Sequence, residues 1–224
     1  LEHPDQPALL NNLGNAQGAA GNWMAAEVCY ADALALKPDY VEALANHGGA
    51  LSQLGDAGSA AEAFDRASAL RPDLAVLPYE AGKAWHGAGD TAAAIERLGR
   101  ARALAPGRAD IVNDLGNALF DAGDLPAAAA AFTDAIEIDA KFLEPWFNRA
   151  NSHRALGRLA EALVDYEAAL TIQPEHAEVR WNRALTHLLA GDWAAGFADY
   201  NWRWRRSGGS ELPAPGLPRW DGEI

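Results

Sequence analysis

The sequence predicts an all-α solenoid of six helix-turn-helix hairpins, and three observations carry that expectation. Glycine recurs at a fixed step of 34 residues at Gly21, Gly55, Gly89, Gly123, Gly157 and Gly191. Four more series keep the same step: Gly14-Gly48-Gly82-Gly116-Ala150-Ala184, Ala26-Ala60-Ala94-Ala128-Ala162-Gly196, Tyr30-Phe64-Leu98-Phe132-Tyr166-Tyr200, and Pro38-Pro72-Pro106-Pro174 with Ala140 in the missing place. Half of the 224 residues are hydrophobic and alanine dominates that half, which suits many small helix contacts better than one large core. A period of 20–50 residues marks a repeat array.

Each series has a physical role. The Gly14-type residue is small so that two helices approach closely. The Gly21-type residue ends the first helix, where a left-handed backbone is cheap only for glycine. The Ala26-type residue lies where the second helix crosses the first. The Tyr30-type ring fills the space beneath them, and the Pro38-type residue stops the second helix. Ala33, Ala67, Ala101, Ala135 and Ala169 extend the small-residue seam.

Residues 1–6 read as a lead-in. The hairpins are 7–40, 41–74, 75–108, 109–142, 143–176 and 177–210, the last acting as a cap, and 211–224 form a Pro-rich tail. A bulky residue at position four appears as Leu10, Leu44, Val112 and Trp146. Pro78 and Arg180 depart from it. Pro78 is expected to delay or bend the start of the fifth helix, and Arg180 makes the sixth hairpin the most irregular. A single hairpin cannot bury its apolar face, and stacking does so.

The bulk numbers exclude several functions. A formal charge of −13 argues against a general binder of nucleic acid or anionic membrane, because phosphate neutralisation needs clustered Lys and Arg. It permits a basic or neutral polypeptide partner, and it also keeps an Ala-rich surface in solution. No apolar run is long enough to span a bilayer. The start, Leu1-Glu2-His3-Pro4-Asp5, has neither a basic region nor an apolar stretch, so no signal peptide is expected, and it resembles a cut inside a longer protein. The single cysteine, Cys29, excludes an internal disulfide, is expected to be a small buried side chain, and fits a cytoplasmic location.

These series resemble the tetratricopeptide repeat. The resemblance covers about nine-tenths of the chain and implies a right-handed superhelix with a concave face lined by the first helices. On each first helix the sixth position reads Asn12, Asn46, Glu80, Asp114, Asn148 and Asn182, polar throughout. Asn is a middling helix former, so its recurrence asks for a reason. An amide both donates and accepts, so a ladder of them can bond the backbone of an extended peptide. The alternative is that these side chains bond neighbouring helix termini or water. The series resembles the asparagine ladder of O-linked N-acetylglucosamine transferase, which implies peptide binding by Asn12, Asn46, Asn148 and Asn182, with Glu80 and Asp114 breaking the run. Asn15, Lys83, Asn117 and Asn151, three residues on, extend the candidate lining. So do Tyr79, Phe147 and Trp181 at the fifth position, either as anchors for a partner or as packing between repeats. The carboxylate clamp of some chaperone-binding relatives needs Lys or Arg on these faces. Lys83 alone qualifies, so a clamp is not expected.

Nothing in the motifs points to catalysis, a metal or a cofactor. His47, His153 and His187 fall at repeat-core positions, His86 is one residue past, and His3 and His176 are in loops, none in a metal-ligand pair. No phosphate-binding loop and no nucleophile elbow occur. From Asp192 to Arg206 the sequence reads as one aromatic, basic helix that caps the stack. Tyr200-Asn201-Trp202-Arg203-Trp204-Arg205 and Pro218-Arg219-Trp220-Asp221-Gly222 also resemble the junction of bacterial proteins that join these repeats to a C-terminal glycosyltransferase domain. The expected function is a protein-interaction scaffold that holds an extended polypeptide. The alternatives are a non-catalytic recognition arm of a glycosyltransferase, and a module that self-associates through its end repeats or tail.

Overall fold

The computed structural model describes residues 6–206. The lead-in before Gln6, His3 and the Pro-rich tail with its Pro218–Gly222 segment lie outside the described residues. Among the described residues there are twelve α-helices and one 3-10 turn, and no strand. The helices are α1 (Gln6–Ala19), α2 (Trp23–Leu36), α3 (Val41–Gln53), α4 (Ala57–Leu70), α5 (Val76–Gly87), α6 (Thr91–Leu104), α7 (Ala109–Asp121), α8 (Leu125–Ile138), α9 (Leu143–Ala155), α10 (Leu159–Ile172), α11 (Ala177–Leu189) and α12 (Trp193–Tyr200). The chain divides between Ala122 and Gly123 into two compact units, α1–α7 and α8–α12.

The turn inside every hairpin is closed by glycine. All six of the series have positive φ, from +74° to +84°, and no other residue type does so among the described residues. The second helix then starts on a side-chain cap in four hairpins. Asp56, Asp90, Asp124 and Asp192 accept from the backbone N–H of Ser59, Ala93, Ala127 and Ala195. Each satisfies one otherwise unpaired donor.

Close approach explains the second glycine series. A Cβ on Gly14 would lie 2.5 Å from the Tyr30 ring, on Gly48 2.9 Å from Phe64, and on Gly82 2.6 Å from Leu98. The ring or branched residue of the second helix therefore presses directly on the first helix.

Each unit builds its core the same way. In the first, Ala43 and Leu44 of α3 sit with Ala33 and Leu34 of α2. Ile111 and Leu115 of α7 sit with Ala94, Leu98 and Ala101 of α6. In the second, Val179 of α11 packs with Tyr166, Ala169 and Leu170 of α10. The residue at position three of a first helix is thus covered by the second helix of the preceding hairpin.

Two expectations change. The terminal segment is not one helix: α12 stops at Tyr200 and Asn201–Trp204 tighten into a 3-10 turn. Arginines hold that turn. Arg180 lies 4.6 Å over the Trp202 ring, which Arg205 also meets at 4.6 Å, and Arg203 lies over Tyr200 and Trp204. Cys29 is half-buried instead of fully buried. As expected of Pro78, α5 starts one residue later in its repeat than α3, α7, α9 and α11, and the N–H that a first-turn proline lacks has no helical partner there.

Candidate functional site

In the first unit the ladder residue Asn46 is bonded to asparagines of α1 beside the ladder. Asn46 of α3 spends both amide protons on α1, at 2.9 Å to Asn11 Oδ1 and 3.0 Å to Asn15 Oδ1. Asn15 Oδ1 also accepts from the Tyr30 hydroxyl of α2 at 2.8 Å. These bonds fix both amides. The Asn15 oxygen has two donors, so its NH2 is left to donate outward from an exposed side chain. The Asn46 NH2 is used up, so its oxygen is left to accept. One donor and one acceptor on adjacent helices match the C=O and N–H of a peptide unit. Asn12 is exposed, one turn before this pair.

Further along the first unit the lining becomes charged. Lys83 Nζ lies 3.2 Å from Glu80 and 5.0 Å from the centre of the Tyr79 ring. Glu80 and Lys83 border a cavity of about 350 Å³ whose walls are Gly49, Ser52 and Gln53 of α3, Phe64 of α4, and Ala84 and Gly87 of α5. Glycine at 49, where a neighbouring repeat has Asn15 or Lys83, leaves this space open. Tyr79 does not line the surface. Its ring is buried in the core beside Leu98 and Ile111, and its hydroxyl donates to Asp114 at 2.8 Å. Burial first, and then that bond to a carboxylate, push the phenol well above its ordinary value. Asn117, also on α7, is half-buried.

The second unit repeats the pattern with different partners. The Tyr166 hydroxyl of α10 donates to Asn151 Oδ1 at 2.7 Å, as Tyr30 does to Asn15, and orients the amide the same way. Asn182 donates to the carbonyl of Glu178 and accepts from Arg154 at 3.2 Å. Asn148 is half-buried on α9. Phe147 packs between Tyr166 and His176, each 6.2 Å away. Trp181 packs 5.2 Å from Tyr200 with Arg206 on its ring. Both aromatics are half-buried and serve packing, with one edge left to solvent.

Arg154 was not among the residues expected at the ladder, because it stands at position twelve of its repeat. Its reach is long enough to meet Asn182. Its Nε is buried without a hydrogen-bond acceptor, and it forms no ion pair among the described residues. The other missed feature is a pair of buried carboxylates. Asp165 is held by both Arg149, bidentately, and His153, and Asp199 by Arg180 and Arg183. The signal was present: Arg149 and Arg183, and Asp165 and Asp199, are each one repeat apart. Arg180, which breaks the bulky fourth position, does so to reach Asp199.

Comparison with known proteins agrees with the repeat architecture. Family models described as tetratricopeptide repeat match residues 11–75, 86–148 and 144–176. No curated protein matches the sequence. Among solved structures, a crystal structure of the protein MamA is similar with TM-score 0.73 and 24% identity, over 78% of this chain and 95% of that one. YrrB, described as a TPR protein with an unusual peptide-binding site, gives TM-score 0.68 and 21% identity over 81% and 90%. Pseudomonas aeruginosa pilF gives 0.71 and 17% over 92% and 94%. Together the three repeat matches span more than half the sequence, and with six glycine-closed hairpins they place the chain in the tetratricopeptide-repeat family.

Proposed function

We propose that the chain is a non-catalytic protein-interaction scaffold that holds an extended polypeptide along its first helices. The observation that carries this reading is the fixed polarity of Asn15 and Asn46: a donor and an acceptor, side by side, with no further partner for either among the described residues. Such a couple recognises main chain, so it binds without demanding a particular sequence. Asn12, Asn148, Asn151 and Asn182 extend the same chemistry, and the Glu80–Lys83 cavity accepts a side chain of the partner. Arg154, a guanidinium with no carboxylate partner among the described residues, favours an acidic group beside Asn151 and Asn182. The similarity to YrrB, whose description includes a peptide-binding site, supports the class of function.

A peptide array tests it. Asn15→Ala and Asn46→Ala are each expected to weaken binding about tenfold across unrelated sequences, the loss of one hydrogen bond to a peptide unit. Binding that survives both changes removes the ladder from the mechanism.

A second reading is that the chain is the recognition arm of a glycosyltransferase. It rests on Tyr200-Asn201-Trp202-Arg203-Trp204-Arg205, which forms the arginine-stacked end of the second unit. Reading the gene beyond codon 224 tests it, and a stop codon there ends it.

A further inference from the structure

Every joint between hairpins has two sides ten residues apart: a residue in the last turn of a second helix, and position four of the first helix that follows. In the first joint these are Leu34 and Leu44, which pack in one cluster and are 8% and 0% exposed. In later joints they are Arg102 and Val112, Ile136 and Trp146, and Leu170 and Arg180. The second joint alone carries two small residues, Ser68 and Pro78. The volume that Leu34 and Leu44 fill in the first joint is open in the second. Ser68 and Pro78 border a cavity of about 190 Å³ walled by α4, α5 and α6.

Ser68 is 3% exposed, and its hydroxyl has no hydrogen-bond partner among the described residues. Other helical hydroxyls of the chain turn back on their own helix. Ser52, Thr133, Ser152, Thr171 and Thr186 each donate to the carbonyl four residues earlier. Ser68 does not, although that bond is open to a serine inside a helix. A buried hydroxyl left unmet is uncommon and asks for a partner.

The charged residues around the cavity leave donors unspent. Asp65 accepts from Trp85 Nε1 at 2.9 Å and from Arg97 Nε and Nη2 at 3.2 and 3.1 Å, so its carboxylate is occupied. Glu96 is tied to Arg97 Nη1. Arg97 keeps two N–H groups, and Arg100, on the rim, has no ion pair among the described residues. An anionic oxygen is the group to which Ser68, Arg97 and Arg100 can all donate. The cavity is smaller than the roughly 300–1,000 Å³ of sites for drug-sized ligands, so it suits one side chain or a small acid. The two carboxylates nearby disfavour a second negative charge on the ligand. We propose that this cavity binds a single carboxylate, held by the Ser68 hydroxyl and the Arg100 guanidinium, from an acidic side chain of a partner or from a small free acid. The site shares no residue with the asparagine ladder and does not depend on it.

Proton–nitrogen NMR spectra of the whole chain test the proposal, with sodium acetate as the free acid and a glutamate blocked at both ends as the side chain. Saturable shifts of the Ser68 amide and the Arg100 Nε–H are expected at millimolar concentrations of at least one of them. Acetamide, and sodium chloride at matched ionic strength, should produce none. Ser68→Ala and Arg100→Gln should each weaken binding about tenfold, as loss of one hydrogen bond to a charged group does. Ser68→Leu, which restores the residue of the first joint, should abolish binding, and urea unfolding of each variant reports whether the fold is intact. Tighter binding of the blocked glutamate assigns the site to a protein partner, and tighter binding of acetate to a free acid. The absence of saturable shifts, or shifts that chloride reproduces, overturns the proposal, as does binding that folded Ser68→Ala and Arg100→Gln both retain.

Discussion

A single hydroxyl determines how Asn15 faces solvent. Tyr30 holds the amide oxygen, and a phenylalanine there, as at Phe64 and Phe132 in other hairpins, could not. Tyr30→Phe is expected to cost about 1 kcal/mol, measured by urea unfolding. It should also weaken peptide binding, because the Asn15 amide loses one of the two donors that fix it. The tyrosines set the alkaline limit as well. Burial is the first cause that raises Tyr30, Tyr79 and Tyr166 above the ordinary value of 10.0. A raised folded value means that the folded state keeps its protons longer than the unfolded chain. The stabilisation is complete below pH 10 and is lost as pH climbs past it. Unfolding free energy followed from neutral pH into the alkaline range should therefore fall beyond about pH 10, and Tyr79→Phe should flatten the fall. The acid side has the opposite sign. Arg71 holds Asp73 down to about 2, so that contribution is present above the ordinary carboxylate value and disappears as pH drops toward 2.

At the scale of elements, the hairpins use two solutions for the same position. The fourth repeat carries Leu115 and Ala131 where the fifth carries Arg149 and Asp165 and the sixth Arg183 and Asp199. Arg149 and Asp165 are 16% and 4% exposed, so neither charge is left to water. Asp165→Ala strands a buried guanidinium and is expected to cost about 3–5 kcal/mol in thermal or denaturant unfolding. Arg149→Leu together with Asp165→Ala restores the pattern of the fourth repeat and should return to within about 1 kcal/mol of wild type. A double variant as unstable as the single one would mean that the pair stabilises through its hydrogen bonds to Thr133 and His153. These couples were readable in the sequence only as two residues recurring at one repeat's distance. Hydrophobic periodicity is blind to them, because it reads an arginine as surface.

Over the whole molecule, the turns and helices were legible because each depends on local demands that glycine meets in every repeat and alanine and proline in most. The glycines at 21, 55, 89, 123, 157 and 191 each ended a helix as read. The details of the surface were less so. Position six was readable as polar, yet which atom of Asn46 points outward is decided by Asn11 and Asn15 on another helix. Tyr79 read equally as a groove anchor or as packing between repeats, and what buries it, Ile111 and Leu115, lies a full repeat away. Arg154 escaped because reach, and not register, brings it to Asn182. The end of α12 was misread because arginine–tryptophan stacking, a tertiary preference, overrode helix propensity.

Within each unit, helices adjacent in sequence pack on one another, with few contacts reaching one further. The chain therefore never has to wait for distant segments to find each other. Loops to be closed are short, so folding should be fast for a protein of this length and should begin at any hairpin. The same arrangement has a mechanical meaning. Pulled from its ends, such a chain should yield in small steps, hairpin by hairpin, and not in one rupture.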